Sequence, residues 1–128
     1  MQAFREAVER KDFDALVALL SDDVVFRSPV VFRSYQGRTD VAKLLYAVGQ
    51  VFEDFHYTHE IGAPETSQTA LVFRARVGDR ELEGCDFIHV GEGGAIDELF
   101  VMIRPLSGLI ALAEAMSKQL ELEAAPGR

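Results

Sequence analysis

The spacing of hydrophobic residues changes along this chain, from a helical period in its first part to the two-residue period of strands. Apolar residues recurring every three or four positions predict three amphipathic helices early in the chain and a fourth at its end. Asp12, Thr39 and Ser107 are placed to cap the second, third and last of these helices. The apolar positions are Phe4, Ala7 and Val8; Phe13, Leu16, Val17 and Leu20; Val41, Leu44, Leu45, Val48 and Phe52; and Leu106, Leu109, Ile110, Ala113, Met116 and Leu120.

Several shorter segments are predicted to be strands. Residues 24–28 form one that ends at Pro29, because proline cannot continue the hydrogen-bonded ladder. Alternation over residues 55–61 predicts a second, with Phe55, Tyr57, His59 and Ile61 on one side. A last strand is predicted over residues 95–103, after a glycine-rich loop that joins two strands and opens no helix. That loop is interpreted as a flexible hairpin connection and not as a phosphate-binding loop.

The longest predicted hairpin joins residues 69–77 to residues 80–90 through the two-residue turn Gly78-Asp79. This turn fixes the register and puts Asp86 opposite Leu71, on the inner surface. A carboxyl group in an apolar interior is unfavourable unless it is paired or protonated, and such groups are often found beside ligand cavities. The inner surface comprises Leu71, Phe73, Ala75, Leu82, Gly84, Asp86 and Ile88.

These elements predict one α+β domain, with helices laid across one face of a curved, mostly antiparallel sheet. The chain of 128 residues is 48% hydrophobic and 27% charged, as expected of a single globular domain. We assign residues 1–122 to the domain and expect residues 123–128 to be a frayed tail.

Charge and composition exclude several functional classes. A formal net charge of -8 argues against nucleic acid and membranes as partners, because both need clustered Lys and Arg. The chain has no apolar run long enough to span a membrane and no secretion signal at its start, so a cytoplasmic location is expected. Cys85 is the single cysteine, and the histidines lack paired ligand spacing. We therefore expect no metal and no cofactor.

Three short motifs in their order along the chain resemble the SnoaL-like branch of the nuclear transport factor two-like superfamily. They are Asp12–Leu16 in an early helix, Ser21–Phe26 before the first strand and Gly37–Val41 at the start of the third helix. The resemblance covers nearly the whole chain. It implies a cystatin-like cone, formed by a bent sheet wrapped around helices, with a pocket at the wide end and dimerisation through the outer sheet face. The family includes ketosteroid isomerase, polyketide cyclases, dehydratases, epoxide hydrolases and binding modules, so the fold alone does not fix the function.

Ketosteroid isomerase uses a carboxylate base together with a Tyr and a protonated Asp, which both donate to the developing oxyanion. The resemblance puts Phe4 at the position of that Tyr, Ser28 at the position of the base, and Asp86 at the position of the protonated Asp. Ser cannot accept a proton at neutral pH without an activating base, and Phe has no hydroxyl group. Steroid isomerisation by that mechanism is therefore not expected.

The predicted catalytic residues are Asp86, as acid or hydrogen-bond donor, and His59, as base, because His59 and Tyr57 share the inner side of one strand. The alternative is that Asp86 is a structural carboxyl and that His59 is half exposed at a strand end. Aromatic residues in the loop before the third helix favour a lid or a pocket wall, although core packing explains most other aromatic residues. The predicted ligand-binding residues are Ser28, Phe26, Phe32, Tyr35, Tyr57, Phe73 and Met102.

The outer face of the sheet has the composition of an interface. Val72, Cys85 and Phe87 are surrounded by charged or polar side chains, which favours a homodimer. The expected partner inside the cavity is a small apolar or partly oxygenated molecule. Three functions stay open: an isomerase, cyclase or hydratase-type enzyme that uses acid/base chemistry without a cofactor, a non-catalytic ligand carrier, and a dimeric interaction module whose cavity is filled.

Overall fold

A computed structural model describes residues 2–63 and 66–124 of the chain. It contains four helices and six strands. Their bounds are α1 Gln2–Glu9, α2 Phe13–Ala18, β1 Leu20–Arg27, β2 Tyr35–Gln36, α3 Arg38–Val51, β3 Glu53–Ile61, β4 Gln68–Val77, β5 Arg80–Val90, β6 Ile96–Arg104 and α4 Leu106–Ala124. The predicted α+β class is confirmed.

The strands form one curved, open sheet in the order β2-β1-β6-β5-β4-β3. All neighbouring pairs are antiparallel except β1 and β6, which run parallel. The hydrophobic core lies between the inner face of this sheet and the helices. Its most deeply buried large side chains are Phe73, Leu16, Leu20, Leu71, Ile88, Ile96, Leu99, Val24 and Val41.

The register of the β4–β5 hairpin is confirmed at every predicted pair. Val77 pairs with Arg80 beside the turn, and Leu71 pairs with Asp86 further along. Gly78 has a φ of 62°, a left-handed conformation that glycine adopts without the steric cost of a Cβ atom. The two-residue turn therefore determines which side chains of β5 face the helices.

The helix boundaries differ from the prediction at three places. Asp12 caps α2 as predicted, because its side chain accepts a hydrogen bond from the Ala15 amide at 3.1 Å. The residue that precedes α3 is Gly37, with no side-chain cap, so the predicted capping by Thr39 is wrong. Ser107 lies inside the first turn of α4 and cannot be its N-cap. Leu20 belongs to β1, where it pairs with Ile96, instead of ending α2.

The last helix extends beyond the predicted end of the domain at residue 122. Helix α4 continues to Ala124, two residues into the predicted tail, and the rest of that tail lies outside the described residues. Fraying of the tail stays a prediction. In the part of the chain that the structure describes, no helix is both long enough and apolar enough to cross a membrane. The cytoplasmic location stays a prediction.

Candidate functional site

A cavity of about 400 Å³ lies between the inner face of the sheet and the four helices. Its wall is almost entirely apolar, and the side chains come from all four helices, from all six strands and from the loop between β1 and β2. Asp86 and Tyr57 are polar members of the wall. The apolar part of the lining comprises Phe4, Val8, Phe13, Leu16, Phe26, Val30, Val31, Leu44, Leu45, Val48, Phe52, Phe55, Phe73, Leu99, Val101, Ile103, Leu112, Ala113, Met116 and Leu120.

Asp86 lies in the middle of β5, between Leu71 of β4 and Val101 of β6. These two neighbours are buried, and Asp86 itself is only 8% exposed. Because both flanking strands are fully paired with β5 at this point, the carboxyl group cannot turn away from the interior without breaking the sheet. The predicted inward position of Asp86 is therefore confirmed, and its side chain reaches the cavity.

Tyr57 of β3 is the hydrogen-bonding partner of this carboxyl group. Its hydroxyl donates to Asp86 Oδ2 at 3.1 Å, and the side chain is buried. The Tyr57 ring packs edge-on against Phe55 at 5.0 Å between centroids, and the Arg5 guanidinium lies over it at 5.7 Å. Contacts on the ring and on the hydroxyl together fix the phenol in one orientation.

Burial changes the proton affinity of both groups. Burial raises the pKa of Asp86 to about 7, although the hydrogen bond from Tyr57 opposes this rise because it stabilises the carboxylate. Burial, and then the nearby Asp86 charge, raise the pKa of Tyr57, which stays protonated and remains a donor. At neutral pH Asp86 is present in both forms, so it can donate a proton or accept a hydrogen bond from a ligand.

Aromatic rings form the wall beside this pair. Phe55 stacks on Phe73 at 4.8 Å, and Phe52 contacts both rings at 5.7 Å. Phe73 lies directly over Gly84 of β5, where an added Cβ atom would overlap the ring. A side chain at position 84 would push Phe73 towards the cavity, so Gly84 keeps the cavity open.

Most of the residues predicted to bind a ligand line the cavity. Ser28, Phe26, Tyr35, Tyr57 and Phe73 are on its wall together with Asp86. Ser28 accepts a hydrogen bond from the Val30 amide at 3.0 Å, as in a serine turn, and this contact orients the loop that follows β1. Whether these side chains contact a ligand stays a prediction.

The predicted inward position of His59 is wrong. The β3–β4 register shifts between Tyr57, which pairs with Phe73, and His59, which pairs with Val72. This bulge places one extra residue in β3 and reverses the alternation beyond it, so His59 is exposed and lies outside the cavity wall. Its Nδ1 atom is 2.9 Å from Thr58 Oγ1 and makes no contact with Asp86.

Phe32 and Met102 also lie outside the cavity wall, so their predicted contribution to it is wrong. Phe32 is fully exposed, at 106%, in the loop between β1 and β2. Met102 pairs with Cys85 of β5, and it is 53% exposed on the outer face. Because Val101 beside it faces inward, alternation along β6 turns Met102 outward.

Sequence reasoning missed two charged residues on the wall, Glu9 and Lys11, which lie at the end of α1 and in the turn before α2. Met116 and Leu120 were identified only as apolar positions of the last helix, and both line the cavity. A helix that packs into a core and a helix that lines a cavity have the same spacing of apolar residues, so this spacing does not predict the cavity. The described residues contain no cluster of three or more His, Cys, Asp or Glu side chains that could hold a metal ion.

Comparison with known proteins connects this geometry to a family. The family model described as SnoaL-like domain matches residues 1–99, which is most of the chain. No curated protein matches the sequence.

Two solved structures are similar to the chain in both sequence and fold. A steroid delta-isomerase from Pseudomonas aeruginosa is 41% identical, with a TM-score of 0.89 over 95% of this chain and 90% of that one. An uncharacterized protein with a cystatin-like fold from Silicibacter pomeroyi is 36% identical, with a TM-score of 0.90 over 96% of this chain and 86% of that one. An NTF2-like protein of unknown function from Cytophaga hutchinsonii is 16% identical, with a TM-score of 0.61 over 81% and 86% of the two chains, and it supports the fold alone.

Proposed function

We propose that this chain, which belongs to the SnoaL-like family, binds a small and mostly apolar molecule in its cavity and holds an oxygen atom of that molecule against Asp86. The observation that carries the proposal is the buried Asp86–Tyr57 pair on the wall of the cavity. A volume of about 400 Å³ lies within the usual range for ligand pockets. Few polar groups among many apolar ones is also the usual composition of such pockets.

The hydrogen bond from Tyr57 leaves the second oxygen of Asp86 available for a ligand. Below pH 7 the carboxyl group is mostly protonated, and it donates to a carbonyl oxygen. Above pH 7 it is mostly ionised, and it accepts from a hydroxyl group. In both cases the Tyr57 hydroxyl donates its hydrogen bond to Asp86. Tyr57 therefore positions the carboxyl group and does not contact the ligand oxygen.

A protonated Asp86 supports catalysis of a cofactor-independent isomerase, cyclase or lyase reaction. In such reactions negative charge develops on a carbonyl oxygen, and a donor held in an apolar site stabilises that charge more than water does. The 41% identical relative described as a steroid delta-isomerase supports an isomerase reaction on a steroid-like molecule. The residues on the wall include a second carboxylate, Glu9, as a candidate proton acceptor, since His59 lies outside the cavity.

Ser28 favours a second candidate function, that of a ligand carrier without catalysis. Its hydroxyl oxygen accepts from the Val30 amide, and no imidazole or carboxylate contacts it among the hydrogen bonds of the described residues. Ser28 therefore lacks the base that would activate it. A carrier would use Asp86 only to orient the bound molecule.

We also propose that the outer face of the sheet forms a homodimer interface. Phe87 packs against Phe100 at 5.7 Å and is 40% exposed, and the exposed Met102 lies beside the half-buried Cys85. Ion pairs that connect Arg74, Glu83 and Arg104 flank this apolar strip. An apolar centre with a charged border is the composition of protein interfaces.

The binding proposal is tested with two neutral naphthalenes that differ in hydrogen-bonding character. In calorimetric titrations, 2-acetylnaphthalene, a hydrogen-bond acceptor, is expected to bind more tightly at pH 6 than at pH 8. The donor 2-naphthol is expected to bind more tightly at pH 8 than at pH 6. Asp86→Asn is expected to remove both pH dependences. Absence of binding by either probe, or pH dependences that survive in the variant, would contradict the proposal.

The enzyme and carrier functions are separated by a turnover assay. Conversion of a β,γ-unsaturated steroid ketone to its conjugated isomer is followed by ultraviolet absorbance, for the wild-type protein and for Asp86→Asn. Turnover that Asp86→Asn lowers by at least 100-fold supports the enzyme. Binding of the ketone without turnover supports the carrier.

A further inference from the structure

We propose that Lys11 selects ligands that carry one anionic group, so that the cavity takes an apolar molecule with a carboxylate at its outer end. This inference rests on the proposed function, and it specifies the chemical class of the ligand. Lys11 is exposed to solvent and also lines the cavity, so the residue lies at an opening and not at the buried end. The buried end belongs to Asp86, which binds an uncharged oxygen, and to Tyr57, which orients the Asp86 carboxyl group.

The ammonium group of Lys11 is free to bind a ligand anion. No carboxylate lies within 4.0 Å of it among the ion pairs of the described residues, although Glu9, Asp12 and Asp14 are all within three positions of it along the chain. Each of these acidic neighbours has a different partner. Asp12 caps α2 by accepting from the Ala15 amide, and Asp14 accepts from the Tyr46 hydroxyl.

Glu9 is the carboxylate that would most strongly repel an anion at this opening, because it lines the same cavity. Glu9 has a cation partner in Arg5, whose Nε atom lies 3.5 Å from Glu9 Oε2 and which also pairs with Glu60 at 3.1 Å. The Arg5 guanidinium also lies over the Tyr57 ring, 5.7 Å from its centroid. The Arg5–Glu9 pair therefore leaves Lys11 as the unpaired charge among the charged residues of the wall, since Asp86 is buried.

The backbone at Lys11 is in the left-handed region, with a φ of 57°. An L residue with a side chain is disfavoured there, and glycine would relieve the strain. The turn is held by hydrogen bonds from the Lys11 amide to the Val8 carbonyl at 3.0 Å and from the Asp12 amide to the Ala7 carbonyl at 2.9 Å. These two bonds are those of a helix C-terminal turn that ends on a left-handed residue, and they hold Lys11 in place at the end of α1.

The test compares decanoate with decan-1-ol, two probes that share a ten-carbon chain and differ in charge. Each probe displaces the neutral dye Nile red from the full-length protein at pH 8. Lys11→Met is expected to weaken decanoate binding by about two- to fivefold, the range for one exposed ion pair, and to leave decan-1-ol binding unchanged. Lys11→Arg is expected to keep the preference for decanoate.

Arg10→Met is the matched control, because Arg10 carries the same charge one position away and is not part of the cavity wall. It is expected to change the binding of neither probe. A rise in salt from 0.02 to 0.5 M is expected to weaken decanoate binding to the wild-type protein and to have little effect on decan-1-ol. This measurement needs no variant, so it tests the inference even where a substitution impairs folding.

Two results would overturn the inference alone while leaving the binding proposal in place. One is an equal loss of decanoate affinity in Lys11→Met and Arg10→Met, which would reflect net charge only. The other is an equal loss for both probes in Lys11→Met, which would reflect a structural role. If neither probe displaces Nile red and neither naphthalene binds, the proposed function fails and the inference fails with it.

Discussion

The two faces of strand β5 reverse the usual distribution of side chains in a sheet, in which apolar side chains face the core and charged ones face water. The inner face carries a carboxyl group, Asp86, among buried apolar residues, whereas the outer face carries the exposed Phe87 one position away. A buried polar group and an exposed apolar patch are the two observations that ordinary burial does not explain. This difference is the basis of the two proposals, in which the inner face binds a small molecule and the outer face binds a second chain.

The largest effect is expected from removal of the inner charge. The folded protein binds the Asp86 proton more tightly than the unfolded chain does, so the free energy of unfolding falls as the pH rises from about 4 to about 7. Between pH 5 and pH 8 this group lowers the wild-type stability by roughly 2–4 kcal/mol. The side chain in Asp86→Asn cannot ionise, so the free energy of unfolding of this variant is expected not to show this decrease. Urea unfolding at pH 5 and pH 8 measures the free energy for both proteins.

The control for this experiment is Cys85→Ser, on the opposite face of the same strand. It is expected to keep the wild-type decrease in stability between the two pH values. Parallel pH dependences of the wild-type protein and Asp86→Asn would show that the carboxyl group is not desolvated in the folded state.

A smaller effect is expected from an added side chain on the inner face. A Cβ atom at position 84 would overlap the Phe73 ring and lie 2.9 Å from Ile103 Cγ1. Gly84→Ala is therefore expected to lower the free energy of unfolding by about 1–3 kcal/mol, and to weaken binding of 2-acetylnaphthalene because Phe73 moves into the cavity. Cys85→Val adds volume to the outer face and is expected to change stability by less than about 1 kcal/mol. Equal losses in the two variants would contradict the difference between the faces.

The smallest effect on the stability of a single chain is expected on the outer face. Phe87→Glu puts a charge at the centre of the apolar strip, so it is expected to convert a dimer to a monomer. Its effect on monomer stability is expected to be within about 0.5 kcal/mol. Native mass spectrometry at several protein concentrations gives the subunit count. A dimer that persists in Phe87→Glu would place the interface elsewhere.

The sequence predicted the inner face of the β4–β5 hairpin well, because a two-residue turn determines every cross-strand pair, including Leu71 with Asp86. It failed at His59, because strict alternation assumes a ladder without bulges. The bulge after Tyr57 depends on pairing with β4 and has no signal in residues 55–61. The error matters for function, since it removed the predicted base from the site.

The cavity itself was predicted from the resemblance and from Asp86, and its wall could be predicted only in part. Phe26, Tyr35 and Phe73 were identified, but Met116 of α4 was identified only as an apolar position of the last helix. Apolar residues that fill a core and apolar residues that border a void follow the same helical period. Lys11 was missed for a different reason: its position depends on a turn between two short helices, which hydrophobic spacing does not define.

The most direct test of the central claim is a carbon-13 NMR titration of the Asp86 carboxyl group in the folded protein. The account predicts a pKa of about 7, set by burial against the opposing hydrogen bond from Tyr57. Tyr57→Phe removes that donor, so it is expected to raise the pKa of Asp86 further. An Asp86 pKa near 4 in the wild-type protein would mean that water reaches the carboxylate freely, and it would contradict the claim that a buried acid forms the polar contact of the cavity.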